Sequence, residues 1–581
     1  MDSERKLKLN AFATLGPALI FVLVAVCIII RNPFRRMMAW DDSWAYARTV
    51  EHLLSTGQYQ LDRWAAADMP VQIYSSAGLS KIFGYSFAVL RCSTLALLFV
   101  ALFSFYRLLR ELSCMPRTAT CYTMALLASP LVLILAFTFM TDVQFLGWLL
   151  LALSVYVRGL RRNSMVTMVL ASFPAACAIA TRQFGVALVA GLVVCWFLSP
   201  RERRPSVLLL IAGLALPLAA LAMQLHKGLA AATITQAFRL AQERWYLHQG
   251  LRLVPEFFRR SALILQYTGM AMLPVLPFTL SRSHFAARRR SLTAGLISSA
   301  AIFVAGRSIG SLALLSGPRN LRDPFQIGWL LSEYLGAVRP IMWLLTFVGM
   351  AGGAVLVAAG LRYIAKLLRS EDCSPEFALL LGTGAALFAL QLLYLQFWDT
   401  YLISFVPFGL LALAKDDLAT LDLSGPAAWS VAASTTLVLA FSFYLSRTEA
   451  QIETEWRAAD RLLASGIPAA RINTDVHWQN YHGAYDQWID LGAPGLTKTT
   501  IPIDPDPLLH AYYAWLGERN RKLPYLVFSG TPTDHFPTDW GILATDPYRT
   551  ATFHTRVIWT LKVPAKDLCN NCNNNVPALI F

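Results

Sequence analysis

The chain has 581 residues, 56% of them hydrophobic and only 15% charged, with a mean hydropathy of +0.49. A soluble chain carries about 25% charged residues, so composition excludes an ordinary soluble globular protein. The formal charge of +15 does not point to nucleic acid, because Lys and Arg mostly flank apolar runs, where membrane orientation accounts for them.

The apolar residues form blocks of about 17–25, the length of a membrane-crossing helix. A transmembrane β-barrel would show weaker, alternating segments. The first span, 10–30, follows Arg5, Lys6 and Lys8, which place the N-terminus in the cytoplasm. It lacks a small-residue cleavage site, so it reads as an anchor and not as a cleavable signal. A polar first loop, 31–85, lies outside. Spans at 86–106, 118–137 and 142–158 follow, then short spans at 165–180 and 184–198, joined outside by Thr181-Arg182-Gln183. A seventh span, 207–223, leads to an outer segment, 224–260, rich in Arg and aromatics, including Arg239, Arg244, Trp245, Tyr246 and His248. Such amphipathic stretches lie in the membrane interface. An eighth span ends at Arg282, and others are expected at 292–314, 340–361 and 377–397. The last of these reaches Trp398-Asp399-Thr400. A twelfth returns to Lys415, and a thirteenth occupies 429–444. Every predicted inner loop carries Lys or Arg, and the acidic pair Asp41-Asp42, Asp142, Arg182 and Asp399 all fall on the outer face.

From 446 onward the chain turns polar, with strand-like runs such as Tyr525-Leu526-Val527-Phe528 and Arg556-Val557-Ile558-Trp559. The fold class expected is a polytopic α-helical membrane protein of about thirteen transmembrane helices. A transmembrane domain, 1–445, precedes a small α/β or α+β domain, 446–581, on the extracytoplasmic side of the inner or plasma membrane. No dinucleotide fingerprint, P-loop or zinc-protease motif occurs, nor an internal repeat of the transporter kind. Cys27, Cys92, Cys121, Cys177 and Cys195 lie in apolar runs and read as small core residues. Cys569 and Cys572 lack the second pair of a zinc site.

Two adjacent carboxylates, Asp41 and Asp42, stand before a helix expected at 43–55. One would cap that helix; a second acid is not needed for capping, and a carboxylate at a partly dry membrane edge suits a general base. Asp142 opens the fourth span, as a cap or as a functional group facing the bundle interior. Arg182 either snorkels to the interface or forks onto a phosphate. The cluster Arg239, Arg244, Arg252, Arg259 and Arg260 suits a headgroup-contacting face or an anionic lipid-linked substrate. Glu51 and His52 lack ligand spacing, so no metal site is assigned, though a divalent ion is compatible. His477, His482, His510 and His535 read as surface residues.

Trp40-Asp41-Asp42, followed by Tyr46, Ala47, Leu53-Leu54 and Gly57, resembles the acidic first-loop motif of the C superfamily of glycosyltransferases. The branch it resembles holds protein O-mannosyltransferases and the aminoarabinose transferase that modifies lipid A. Pro70 to Tyr74, Lys81-Ile82-Phe83-Gly84 and Leu90-Arg91 are similar to that branch's approach to its second span. Thr141-Asp142 resembles its second acidic position, Thr181-Arg182-Gln183 with Gly185 its Thr-Arg-x-x-Gly element, and Asp399, Tyr401 and Pro407 its late Asp-Arg-Tyr element. The likeness covers residues 10–415. It implies a glycosyltransferase that takes a sugar from a polyprenyl phosphate to a lipid, protein or glycan acceptor, with inversion. In that reading Asp41 is the base, Asp42 and Asp142 orient donor or acceptor, and Tyr46, Arg182, Arg244, Asp399 and Tyr401 bind substrate. Two departures stand out: Ala67-Asp68-Met69-Pro70-Val71 lacks the branch's Lys, and Thr400 stands where its late element has Arg. The competing expectation is a lipid or solute transporter or flippase, which would place ionisable groups and broken helices at mid-membrane.

Overall fold

Residues 2–65, 68–230, 253–275, 293, 295, 297, 301, 339–368, 374–394, 398–417, 424–494, 507–531, 534, 536–550, 555–565 and 567–570 are described by the computed structural model. The apolar blocks are helices. In chain order they are α1 (Asp2–Arg31), α2 (Ser43–Thr56) and α3 (Pro70–Phe83) in the first loop, α4 (Phe87–Glu111), α5 (Pro116–Leu127), α6 (Pro130–Leu135), α7 (Thr141–Arg162), α8 (Met165–Thr181), α9 (Val186–Leu198) and α10 (Val207–Ala230). Then come α11 (Leu253–Met270), α12 (Arg339–Leu368), α13 (Pro375–Leu393), α14 (Val406–Asp417) and α15 (Ser424–Ala464). Among the described residues, five helices are long and apolar enough to cross a membrane and five shorter apolar helices accompany them. The chain is a multi-pass helical membrane protein.

Three elements differ from the expected spans. The span at 118–137 is broken into α5 and α6 at Pro130, because proline has no N–H for the helix ladder and its ring collides with the preceding turn. The twelfth span opens with a 3-10 turn, Asp399–Phe405, before α14 begins. The thirteenth does not stop at 444. It runs 41 residues to Ala464, so position 446 lies within one continuous helix. Residues 253–260, read as interfacial, belong to the same helix as 261–270. Residues 231–252, with Arg239, Arg244 and Arg252, lie outside the described residues, as do the end of the eighth span, most of the ninth, His535 and Cys572.

Small residues let the helices approach closely, as apolar helices in lipid require. A Cβ at Gly352 of α12 would come 2.1 Å from the Gly269 carbonyl oxygen of α11, and one at Gly147 of α7 would come 2.7 Å from the Leu97 carbonyl oxygen of α4. At the end of the bundle next to the first loop, a buried cationic network ties distant segments together. Arg31, fully buried, pairs with Glu449 of α15 and lies 4.0 Å from the Phe137 ring centre. Arg36 donates to the Arg31 carbonyl at 2.9 Å and to Glu453 at 3.2 Å. Arg91 on α4 donates to the carbonyls of Pro33 (3.2 Å), Arg36 (2.5 Å) and Met38. One guanidinium thus grips the strand of chain that delivers the acidic pair.

The C-terminal part is a four-stranded sheet in the order β1-β2-β4-β3, with β1 (Ile472–Asn473), β2 (Tyr525–Gly530), β3 (Gly541–Arg549) and β4 (Thr555–Lys562). β1 runs parallel to β2, and the other pairings are antiparallel. Helices α16 (Val476–Tyr481), α17 (Ala484–Asp490) and α18 (Pro507–Asn520) carry buried Trp478, Tyr485, Trp488 and Tyr512; a short α19 (Asp567–Asn570) follows the sheet. This aromatic core is continuous with the membrane bundle through α2 and the second half of α15.

Candidate active site

The site forms where the first loop, the N-terminus of α7, the C-terminus of α8 and the 3-10 turn at 399–405 meet. Hydrogen bonds fix the approach of the loop to α7. Ser43 Oγ accepts from the Phe139 N–H at 3.2 Å, and Gln72 Nε2 donates to the Phe139 carbonyl at 2.9 Å. Gln144, one turn into α7, donates to Ser93 and Thr94 of α4 at 3.0 and 3.3 Å. The segment 139–144 is thereby pinned on both sides.

Asp142 is fully buried. Its Oδ1 accepts from Arg182 Nη1 at 2.7 Å. Thr400 lies against the same carboxyl. Arg182 reaches this position because α8 ends at Thr181 and the next residue turns to extended backbone (φ −149°, ψ 136°) before the 3-10 turn Gln183–Gly185. That turn folds onto α8 so tightly that a Cβ at Gly185 would meet the Ile179 nitrogen at 2.5 Å. The guanidinium then lies 4.3 Å from the centre of the Tyr401 ring, a cation–π contact. Tyr401 in turn packs edge to face with Phe184 and Tyr394.

Asp42 occupies the N-cap position of α2 but makes no side-chain cap hydrogen bond. Its Oδ1 accepts instead from Trp64 Nε1 at 2.5 Å. Burial pushes the Asp42 carboxyl above the usual carboxylate range. The Trp64 hydrogen bond, His477 and Arg182 pull it back, and Asp142 pushes it further up. Burial, then Asp42, likewise raises the Tyr46 phenol, which also feels Arg182, Tyr401 and Asp142. Asp42, Tyr46, Asp142, Arg182 and Tyr401 therefore share one electrostatic pocket. Asp41, next to them, holds a left-handed backbone (φ 50°), a conformation that aspartate tolerates better than most residues.

The other expected site residues fall elsewhere. Asp399 is fully buried and accepts from the Tyr267 hydroxyl at 3.1 Å; it anchors the 3-10 turn to α11. Arg244 lies outside the described residues. Arg260 does not face headgroups. It is fully buried and donates to the carbonyls of Gln391 (3.3 Å), Leu392 (2.9 Å) and Tyr394, closing the C-terminus of α13, where a cation suits the helix dipole. His477 and His482 are partly buried and not plain surface residues: His477 hydrogen-bonds Asp475 at 3.2 Å, and the His482 ring packs 4.2 Å from Trp478. Glu51 accepts from the Tyr481 hydroxyl at 3.2 Å. Among the described residues no group of three or more His, Cys, Asp or Glu converges as metal ligands would.

Trp64, His477 and Arg91 were not among the expected site residues. A tryptophan in a polar loop was the one available signal for Trp64. Nothing in the sequence shows that His477, some 435 positions away, acts electrostatically on Asp42.

Fold and site together define a multi-pass membrane protein with a buried cluster of acidic, guanidinium and tyrosine side chains at the end of the bundle that bears its C-terminal sheet. Among solved structures, the chain is similar to ArnT from Cupriavidus metallidurans bound to undecaprenyl phosphate, at 13% identity and a TM-score of 0.40, over 93% of this chain and 98% of that one. It is also similar to the archaeal oligosaccharyltransferase AglB from Archaeoglobus fulgidus in complex with an inhibitory peptide and a dolichol-phosphate, at 14% identity and a TM-score of 0.37, over 76% of this chain and 57% of that one. Both belong to the C superfamily of glycosyltransferases. At these identities and TM-scores the likeness assigns no activity. No family model matches the chain, and no curated protein matches it.

Proposed function

We propose that the protein is a membrane glycosyltransferase that moves a sugar from a polyprenyl phosphate to an acceptor hydroxyl at the extracytoplasmic face. The observation that carries this reading is the convergence of Asp42, Asp142 and Arg182, from three distant segments, at the end of the bundle that bears the C-terminal domain. A scaffold has no use for it. A transporter would need its ionisable groups along a central path, whereas these sit at helix ends.

The chemistry asks little of the protein. A polyprenyl monophosphate is already an anionic leaving group. The acceptor oxygen bonds to the anomeric carbon as the carbon–oxygen bond to phosphate breaks, which inverts that centre. The acceptor proton passes to a carboxylate of the acidic pair, Asp41 in our assignment, with Asp42 and Asp142 orienting the reactants. Arg182 holds one donor on Asp142 and has others to direct at the departing phosphate, where charge develops. Tyr46 and Tyr401 supply hydroxyls to the same pocket.

The deciding experiment is an assay of purified protein against a panel of polyprenyl-phosphate sugars. Wild type should transfer at least one of them, and Asp41→Asn should reduce turnover by about 100-fold or more while the protein stays folded. Equal turnover in wild type, Asp41→Asn and Asp142→Asn would remove the assignment.

A further inference from the structure

The C-terminal domain does not stand apart from the site; the Trp64 side chain links the two. Trp64, in the stretch of first loop between α2 and α3, gives its one N–H to Asp42 Oδ1 at 2.5 Å. Its ring is held by aromatics of the C-terminal domain. Tyr485 of α17 meets it edge-on at 4.8 Å between ring centres, and Tyr512 of α18 at 5.8 Å. The Trp44 ring of α2 lies 5.8 Å from it between ring centres. Tyr485 and Tyr512 are themselves buried and lie 5.2 Å apart, edge to face. The Trp64 backbone is fixed as well: its N–H donates to Asp62 Oδ1 at 2.9 Å, and the Asp62 N–H donates to Thr49 Oγ1 of α2 at 3.0 Å.

We infer that Trp64 is a positioning residue of the transfer site, through which the packing of the C-terminal domain sets the orientation and charge of Asp42. The inference rests on the proposed transferase reading. Tryptophan suits the role because its indole is a donor only. It can stabilise a carboxylate but cannot take a proton from it, and its large ring gives a neighbouring domain something to hold. The groups that act on Asp42 are Trp64 from the first loop, His477 from α16, Asp142 from α7 and Arg182 at the end of α8. Tyr46 and Tyr401 feel it in turn. Two of the controlling groups are thus set by the C-terminal domain: His477 directly, and Trp64 through Tyr485 and Tyr512. Loss of the indole N–H removes a hydrogen bond to the charged carboxylate, so Asp42 should hold its proton to higher pH. Because Asp41 and Asp42 are adjacent acids, the activity profile reports the pair rather than either residue.

The test is a pH–rate profile of full-length Trp64→Phe, which keeps a ring and loses the donor. The acid limb of kcat/KM for transfer should move upward by about one pH unit, with kcat falling more than the donor KM changes. Tyr485→Leu, on the C-terminal domain, should move the same limb in the same direction. A second readout needs no activity. In a thermal-unfolding cycle of Trp64→Phe and Asp42→Ala, the double variant should lose less than the sum of the two single losses, because the two residues share one interaction. Additive melting losses, or an acid limb unmoved in a stable Trp64→Phe, would overturn the inference even if Asp41→Asn and Asp42→Asn abolish transfer. If both of those variants retain wild-type transfer, the transferase reading fails instead, and the melting cycle still reports whether Trp64 and Asp42 are coupled.

Discussion

Arg182 and Asp142 show what one ion pair at a helix end demands. Both sit away from water, Asp142 fully and Arg182 with 13% of its side chain exposed. Removing one partner strands the other, and a buried pair broken in this way costs about 3–5 kcal/mol. Arg182→Gln should therefore lower stability by about 3 kcal/mol and reduce transfer by about 100-fold or more. The double variant Asp142→Asn/Arg182→Gln should recover most of the stability and none of the transfer. Thermal unfolding in detergent and a polyprenyl-phosphate-sugar assay separate the two effects, and a double variant as unstable as Arg182→Gln would contradict the stranded-charge argument. The candidacy of each residue was legible in the sequence, since an arginine between two short spans and an aspartate opening a third are not needed for spanning. Their contact across 40 positions was not legible, because it depends on where α8 stops and how the Gly185 turn folds back. The sequence also allowed Asp42 a capping role. The structure gives its carboxylate to Trp64, a competition between local and tertiary donors that periodicity cannot weigh.

At the scale of elements, α15 departs furthest from its sequence pattern. Its apolar half is legible as a span, but Arg447, Glu449, Glu453, Glu455, Arg457 and Arg461 break the apolar run, and composition alone reads that as a new domain. The helix continues because the sheet and α1 cover its polar half: Trp456 is buried, and Glu449 is paired with Arg31. Glu455, in that half, accepts from Gln451 at 3.5 Å. Burial, and then the neighbouring Asp475, push its carboxyl from 4.5 up to about 8. A carboxyl whose folded value exceeds its unfolded one binds its proton more tightly in the folded state. Its contribution is fully present below pH 4.5 and is lost as pH rises through 8. Stability should fall across that window by at most about 1.4 kcal/mol per pH unit. Glu455→Gln should flatten that slope while leaving stability at pH 5 nearly unchanged. Melting temperatures at pH 5, 6.5 and 8 in both proteins check this; identical slopes would mean that Glu455 ionises freely.

At the scale of the whole molecule, the question is what holds the C-terminal domain over the pocket. The interface has two components of different worth. One is ionic: Arg48 bridges Asp62 at 3.2 Å and Asp486 at 2.5 Å, and Arg63 meets Asp490 at 2.7 Å, with Arg63 and Asp490 each more than half exposed. The exposed Arg63–Asp490 pair contributes about 0–1 kcal/mol and is screened by salt. The other is the buried ring cluster of Trp64, Tyr485, Trp488 and Tyr512. Truncating one such ring costs about 3–5 kcal/mol, and Tyr512 also hydrogen-bonds Asn480. The composition break announced a separate domain, but not that its rings would interdigitate with a loop more than 400 positions earlier. The two components predict opposite outcomes for equally placed changes. Asp490→Asn should leave docking intact at any salt concentration. Tyr512→Ala should loosen it, with faster backbone hydrogen exchange across 43–65 and unchanged exchange in α7 and α8. Because Asp42 immediately precedes the loosened stretch and hydrogen-bonds Trp64 within it, transfer in Tyr512→Ala should fall even though the Asp142–Arg182 pair persists. Docking governed by charge instead would show as Asp490→Asn or high salt reproducing the exchange pattern of Tyr512→Ala.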